Sequence, residues 1–306
     1  MGLVAMACPL CKSSRSFLLR NYDVMHLREM WKVSFGFDPF KPDFDLTLSK
    51  RQCAECHIIY FSPECFGDAE FYSKLSHEPF YYEENKWEFD VALQLITELR
   101  PSTLLEVGCG DGNFLEKVEG AVKHAEGVDI NERAVQICQS KGLSASTAAL
   151  GDLQRKFDMV LLFEVLEHME NPAEMIKSLL NILTPNGVLI MAVPNPDGYL
   201  KEVDLNLLDM PPHHNSSWPK DTFDYIASKF NLKEVGYERE PLRYVHYTCY
   251  LGSLISSHKE ISRNTVKSRL LFKLQGLVVR FLAPLTYLTD RANIVGQTHL
   301  IAFRRE

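Results

Sequence analysis

The sequence predicts an α/β protein built on a mainly parallel sheet, and three observations carry that expectation. Between about residues 80 and 242, short apolar runs alternate with helical patterns, the signature of successive βαβ units. Two of the runs, FDMVLLFE (157–164) and GVLIMAVP (187–194), are almost continuously apolar, as strands covered on both faces must be. A third run ends at Val107 and opens onto glycines at alternate positions, Gly108, Gly110 and Gly112, ahead of a helical pattern. Glycines there let the backbone bend sharply and let a ligand lie against it without interference from a Cβ.

Taken in order, the chain divides into three regions. Residues 1–79 hold two CxxC pairs separated by the aromatic stretch WKVSFGFDPFKPDFDL. Residues 80–242 are the α/β core: TLLEVG (103–108), HAEGVD (124–129), 157–164 and 187–194 read as strands. Residues 131–142 and 171–187 read as helices, opened by Asn131 and Asn171 as caps and closed at Gly142 and Gly187. Residues 243–306 begin with RYVHYTCY, continue as a helix from Val266 that is predicted to end at Pro284, and finish in GQTHLIAFRR, a strand expected to return to the sheet.

Composition narrows the partners. The net charge of −7 argues against a nucleic-acid partner. The charge is uneven: residues 255–306 carry nine Lys or Arg against three Asp or Glu, a net of +6, which leaves −13 for residues 1–254. No secretory signal is visible at the N-terminus, and no charge-free run is long enough to span a membrane. Eight cysteines without such a signal point to thiols or metal sites in a reducing compartment, hence a cytoplasmic protein.

The glycine turn carries the first chemical signal. Its spacing is GxGxG, not the GxGxxG of dinucleotide folds, and Asp129 ends the next strand 17 residues after Gly112, placed to hydrogen-bond a ribose diol. The plainer reading is of turn glycines and a surface aspartate. Taken with FDMVLLFEVLEHMENP and LTPNGVLIMAVPNPDG, the segments EVGCGDG and GVDIN resemble the class I S-adenosylmethionine-dependent methyltransferases across residues 80–242. That resemblance implies a Rossmann-like, mainly parallel seven-stranded sheet. It implies that Gly108, Gly110 and Gly112 flank the methionine part of S-adenosylmethionine, with Glu106 as the acidic residue before them. Asp129 would hold the ribose hydroxyls, Ile130 would be a further donor-binding residue, Ala148 and Ala149 would lie by the adenine, and Glu164 at the end of a strand facing the donor.

The second signal is CPLC (Cys8, Cys11) with CAEC (Cys53, Cys56), four thiolates that suffice for a closed tetrahedral Zn2+ site. Reduced free thiols and a redox pair are the alternatives. A zinc-ribbon-like module before such a core resembles a bacterial subgroup that includes sugar and natural-product methyltransferases, although the deoxysugar C-methyltransferases carry a larger C-terminal domain than residues 243–306 provide. In that subgroup a glycine usually follows the second pair. His57 stands there in this chain, which makes it a possible substitute ligand. The subgroup also covers the donor with a tyrosine from the segment before the glycine turn, here Tyr81 or Tyr82; aromatic packing is the alternative, and Trp87 suits it better.

The third signal is DMPPHHNSSW (209–218). Two prolines make a stiff loop after the strand at 187–194, and in open α/β sheets substrates bind beyond the carboxyl ends of the strands. His213 or His214 is therefore a candidate general base for the acceptor's proton, unless both merely brace the loop by hydrogen bonding. His168 is a further candidate. On a helical wheel, residues 266–282 place Arg269, Lys273 and Arg280 on one stripe, with apolar residues around most of the rest. Such a helix could lie on a membrane surface as a peripheral contact, or pack on the core or on a second subunit.

These features predict a methyltransferase acting on a small-molecule acceptor, with a sugar or sugar nucleotide as the acceptor class that the resemblance implies. A lipid or quinone methyltransferase is the alternative within the class. A non-catalytic zinc-dependent interaction module is the alternative outside it.

Overall fold

A computed structural model describes residues 7–44, 47–75, 78, 84–203, 205–255, 266–290 and 293–305. The chain forms two compact units, one of Met1–Pro194, Leu207–Glu238 and Leu300–Glu306, the other of Asn195–Asn206 and Arg239–His299.

The first unit begins with β1 (Ser16–Tyr22), α1 (Val24–Phe35), β2 (Leu48–Cys53), β3 (Ile59–Ser62) and α2 (Ala69–Leu75). Asp23 caps α1 by accepting from the Met25 amide. The α/β core follows: α3 (Trp87–Leu99), β4 (Thr103–Val107), α4 (Asn113–Val118), β5 (His124–Val128), α5 (Glu132–Ser140), β6 (Ala145–Ser146), β7 (Phe157–Phe163), α6 (Pro172–Ile182) and β8 (Leu183–Pro194). Next come β9 (Ser216–Ser217), α7 (Lys220–Phe230) and β10 (Leu232–Pro241). After α8 (Tyr244–Ile255) and α9 (Val266–Asp290), β11 (Val295–Arg305) returns to the sheet.

The large sheet has seven strands in the order β10-β11-β8-β7-β4-β5-β6, and the pairings from β8 through β6 are parallel. Its central strands β7 and β8 are largely apolar because both faces are buried. Leu105, Val160, Leu162, Leu189, Met191 and Ile301 pack into one core cluster, and their neighbours Leu104, Met159, Leu161, Val188, Ile190 and Leu300 into the other. Trp87 packs at the margin of the second cluster. A four-stranded sheet, β1-β2-β3-β9, joins the N-terminal region to the loop after β8. Cys8, Leu10, Ile58 and Tyr60 share the first cluster with Trp218 and Phe223, whereas Trp31 is buried against Phe35, Phe37 and Phe71.

Three boundaries differ from the sequence pattern. Asn131 caps α5 as expected, accepting from the Arg133 and Ala134 amides, but Asn171 makes no side-chain cap to α6. That helix starts on Pro172, whose missing N–H needs no partner in the first turn. It ends at Ile182, not Gly187, because Pro185 pushes Thr184 out of the α region and the chain passes straight into β8. In the second unit α9 runs through Pro284 to Asp290. Its last turns are held by tertiary contacts that offset the lost backbone bond: Tyr287 Oη donates to the Leu242 carbonyl at 2.8 Å, and Tyr247 Oη reaches Thr286 and Asp290. Among the described residues, no helix is long and apolar enough to cross a membrane.

Candidate functional site

The glycine turn lies at the carboxyl end of β4, between that strand and β5. Gly108, Gly110 and Gly112 all have positive φ, at 78°, 52° and 87°. Asp129 ties the turn together, accepting from the Gly110 amide at 2.8 Å with one oxygen and from the Asn131 amide at 2.8 Å with the other. Each oxygen keeps a lone pair for a ligand hydroxyl. The glycines serve the protein's own packing as much as a ligand's approach. A Cβ on Gly108 would stand 2.6 Å from Val165 Cγ2, and one on Gly112 would stand 2.6 Å from Leu143 Cδ1.

The other residues that the sequence singled out for the donor lie on β4 or just beyond the ends of β5, β6 and β7. Glu106 is buried in β4, Oε2 finds no hydrogen-bond partner, and burial pushes its carboxyl well above the usual range. Ile130 is 93% exposed beside Asp129. Ala148 and Ala149 follow β6, the strand paired with β5. Glu164 follows β7 with φ 55°, a strained conformation for a non-glycine residue, and its amide donates to the Ala192 carbonyl. Tyr81 and Tyr82 lie outside the described residues.

The three candidate histidines come together. His168 sits in a 3₁₀ turn after β7; His213 and His214 stack at 4.3 Å between ring centroids, and His168 meets both edge-on at 4.8 and 4.9 Å. Their hydrogen bonds fix their tautomers. Nδ1 of His168 donates to the His213 carbonyl at 2.7 Å, Nδ1 of His213 to the Leu208 carbonyl at 2.8 Å, and Nδ1 of His214 to Asp209 Oδ1 at 3.2 Å. Backbone carbonyls carry no proton, so His168 and His213 each hold their own on Nδ1 and leave Nε2 as a lone pair. Burial keeps His168 neutral, its pKa lowered to about 3, and lowers His213 likewise.

Three site residues escaped the sequence reading. Glu167 is fully buried, with Oε1 3.7 Å from His168 Nε2 and 3.9 Å from His214 Nε2, and neither carboxylate oxygen has a donor. Burial lifts its pKa to about 7, and burial together with Glu167 lifts Glu164 further, so the pair tends to share a proton. Asn215 is buried too, and its side-chain amide has no partner. Buried polar atoms without partners at the carboxyl edge of such a sheet mark places where a ligand's polar groups fit. Both residues stood in the motifs EVLEH and HHNSSW, but nothing in the sequence told them from ordinary polar positions. Tyr72 carried no signal at all: 96 residues from His168 in sequence, it meets that ring edge-on with its hydroxyl 3.3 Å from Nδ1.

The N-terminal cysteines also converge. Cys8 and Cys56 Sγ lie 3.5 Å apart, Cys11 and Cys53 Sγ 3.4 Å apart, and all four sulfurs lie within 4.8 Å of one another. A tetrahedral ion with bonds of about 2.3 Å holds its sulfurs about 3.8 Å apart, so this set suits zinc. The close packing sets the thiols against one another: sharing a proton with Cys56 pulls Cys8 down to about 5 and pushes Cys56 up, and burial raises Cys11 to about 11. His57 stands outside the group, exposed, with φ 61°. That left-handed turn explains why glycine is usual after the second cysteine and removes His57 from the candidate ligands. Three nitrogens of His168, His213 and His214 form the other cluster of this kind among the described residues.

Residues 82–235, just over half of the chain, match a family described as a methyltransferase domain. The mitochondrial ubiquinone biosynthesis O-methyltransferase of Arabidopsis thaliana is 33% identical over 102 residues, 30% of this chain and 32% of that one. The ubiquinone biosynthesis O-methyltransferase of Ralstonia nicotianae is 25% identical over 223 residues, 63% of this chain and 89% of that one. The chain spans about a third to a half of the first curated relatives that it matches. A crystal structure of an S-adenosylmethionine-dependent methyltransferase from Archaeoglobus fulgidus is loosely similar, with a TM-score of 0.48 and 19% identity over 76% of this chain and 99% of that one.

Proposed function

The chain belongs to the methyltransferase-domain family, and on that premise we propose that it transfers the methyl group of S-adenosylmethionine to a hydroxyl of a small acceptor. The observation that carries the acceptor side is the convergence of imidazole lone pairs and the Glu167 carboxylate on one point at the carboxyl edge of the sheet. That arrangement offers proton acceptors on the side where the acceptor would bind. It suits an acceptor whose nucleophilic atom has a proton to lose.

When bound, the donor supplies a methyl group on a positively charged sulfur. Asp129 would hold the ribose, with Ile130 next to it in sequence, and Ala148 and Ala149 would lie by the base; the glycine turn and Glu106 would hold the methionine end, and Glu164 would face the donor from β7. His214 would take the acceptor's proton on Nε2 as the methyl passes from sulfur to the acceptor oxygen, the carbon–sulfur bond breaking to leave a neutral thioether. Asp209, on Nδ1, orients the ring and stabilises the imidazolium, and Glu167 adds a second negative charge beside Nε2. His213 and His168 complete the wall.

The acceptor class follows the relatives. Proteins named for ubiquinone biosynthesis favour a hydroxyl of a quinone-type ring over the sugar acceptor that the sequence resemblance suggested. Residues 1–79 act in this reading as a structural zinc module, residues 80–242 as the donor-binding core, and residues 243–306 as a helical insertion with the last strand. The test is methyl transfer from labelled donor to paired panels of hydroxylated aromatic rings and sugar nucleotides. Turnover of sugar nucleotides alone would overturn the acceptor assignment, and a protein that binds no donor by calorimetry would overturn the enzyme reading.

A further inference from the structure

We infer that α9, with the start of α8, is a docking face for an anionic lipid surface. At 100° per residue, Leu277, Val278, Phe281, Leu282, Leu285 and Leu288 fall within an arc of about 140° on α9. All six are exposed, from 42% for Val278 and Leu282 to 76% for Leu285. The opposite side of the helix is the one that packs, with Ala283 buried and Val279 against the Tyr247 cluster. Tyr244 and Val245 of α8 are exposed as well, and the Tyr244 ring meets Tyr287 edge-on at 5.2 Å. Six large side chains in one stripe exceed the scattered apolar residues of an ordinary surface.

Charge decides what covers the stripe. Residues 255–306 carry a net +6 in a chain whose remainder carries −13, and Arg280 is exposed on α9 about 60° beyond the Leu277 edge of the arc. A second copy of α9, with Lys267, Arg269, Lys273 and Arg280 against the single acidic Asp290, would set like charge against like. An anionic bilayer presents the opposite charge to the basic residues and an apolar layer to the stripe, the division of labour of a helix lying in the plane of a membrane. The helix is not apolar enough to cross it. The inference does not depend on the acceptor, because binding is measured without donor or acceptor present.

The experiment is co-sedimentation of the full chain with phosphatidylcholine vesicles, with and without roughly a third of phosphatidylglycerol. Wild-type protein is expected to sediment with the anionic vesicles and to be released at high salt, as a surface charge contact must be. The double variant F281E/L285E should bind about 100-fold more weakly, and R280E about tenfold more weakly. Melting temperature and donor affinity should stay at wild-type values, because these side chains point away from the unit's core. Equal sedimentation with neutral and anionic vesicles, or variants that bind like the wild type, would overturn the inference. A wild-type dimer in light scattering that F281E/L285E dissolves, with no vesicle binding, would assign the face to a second copy instead.

Discussion

Replacing Gly112 by alanine tests the glycine turn at its tightest point. Gly112 precedes α4 with φ 87°, so any L-residue there adopts the left-handed region at a cost of about 1–2 kcal/mol. The new Cβ would also stand 2.6 Å from Leu143 Cδ1 and 2.9 Å from Cys138 Sγ, both held in a small cluster under the turn. Overpacking of that kind costs about 1–3 kcal/mol more. Two further glycines separate the contributions. Gly120 has φ 78° with nothing within 4 Å of its Cβ position, so Gly120→Ala carries the backbone cost alone. Gly151 has neither a positive φ nor a close neighbour, and Gly151→Ala should be neutral or stabilise by about 0.4–1 kcal/mol through the unfolded chain. Urea denaturation should therefore rank the variants Gly151→Ala, Gly120→Ala, Gly112→Ala from most to least stable. Calorimetric titration should show weakened donor binding in the last alone, because relieving the contact moves the amides around Gly110. Gly112→Ala as stable as Gly120→Ala would refute the packing assigned to the turn.

Asp129→Ala should weaken donor binding by on the order of 1–3 kcal/mol, since it removes a charged acceptor from the ribose and from the Gly110 and Asn131 amides; unchanged affinity in calorimetry would place the donor elsewhere. His214→Gln should lower the single-turnover rate by about 10²–10⁴ with donor affinity kept, and a variant that melts early yet turns over normally would reduce His214 to a structural brace. The rate should rise with pH through about 7, because Glu167 becomes an anion only there; stability runs the other way, present below about pH 4.5 and lost as pH rises through 7, and Glu167→Gln should flatten both profiles. Elemental analysis should find about one zinc per chain, lost in Cys53→Ser; four freely titrating thiols in metal-free protein would refute the site.

The parts of this molecule that were legible in the sequence are those whose physics is local. Strands buried on both faces read as apolar runs, and the turn after β4 needs positive φ at three positions, which glycine satisfies within five residues. Asn131 caps α5 through its own next amides. What escaped depends on contacts across the chain. Pro284 reads as a stop because a local rule cannot see Tyr247 and Leu242 holding the helix beyond it. The histidines were each visible as candidates, but their meeting depends on a turn after β7 and a loop more than 40 residues later. Glu167 gains its meaning only from that meeting. For α9 the wheel gave a wide apolar arc and a basic stripe; which part of the arc is covered is a fact of the fold.

The same distinction runs through the site itself and gives it two separable halves. On the proposed reading the donor side is built from β4, the glycine turn, β5 and β6, and its bonds run between residues close along the sheet: Gly108 to Val128, Gly110 to Asp129, Asp129 to Ser146. The acceptor side is assembled from a distance. Cys53 and Cys56 form a turn closed by the Cys53 amide on the Ile58 carbonyl, and β3 leaves it to pair with β9 at Ile59–Ser217 and Tyr60–Ser216. The Phe61 amide donates to the Asn215 carbonyl, the Gly67 amide to Pro212, and the Asn215 amide to Glu167. The loop bearing His213 and His214 is thus held between the cysteine turn on one side and the end of β7 on the other. Zinc at the four cysteines would brace that loop without touching the donor, which gives its removal a specific signature. Metal-stripped protein should lose methyl transfer while the donor affinity set by Asp129 persists. Loss of both together would mean that the two halves share one support.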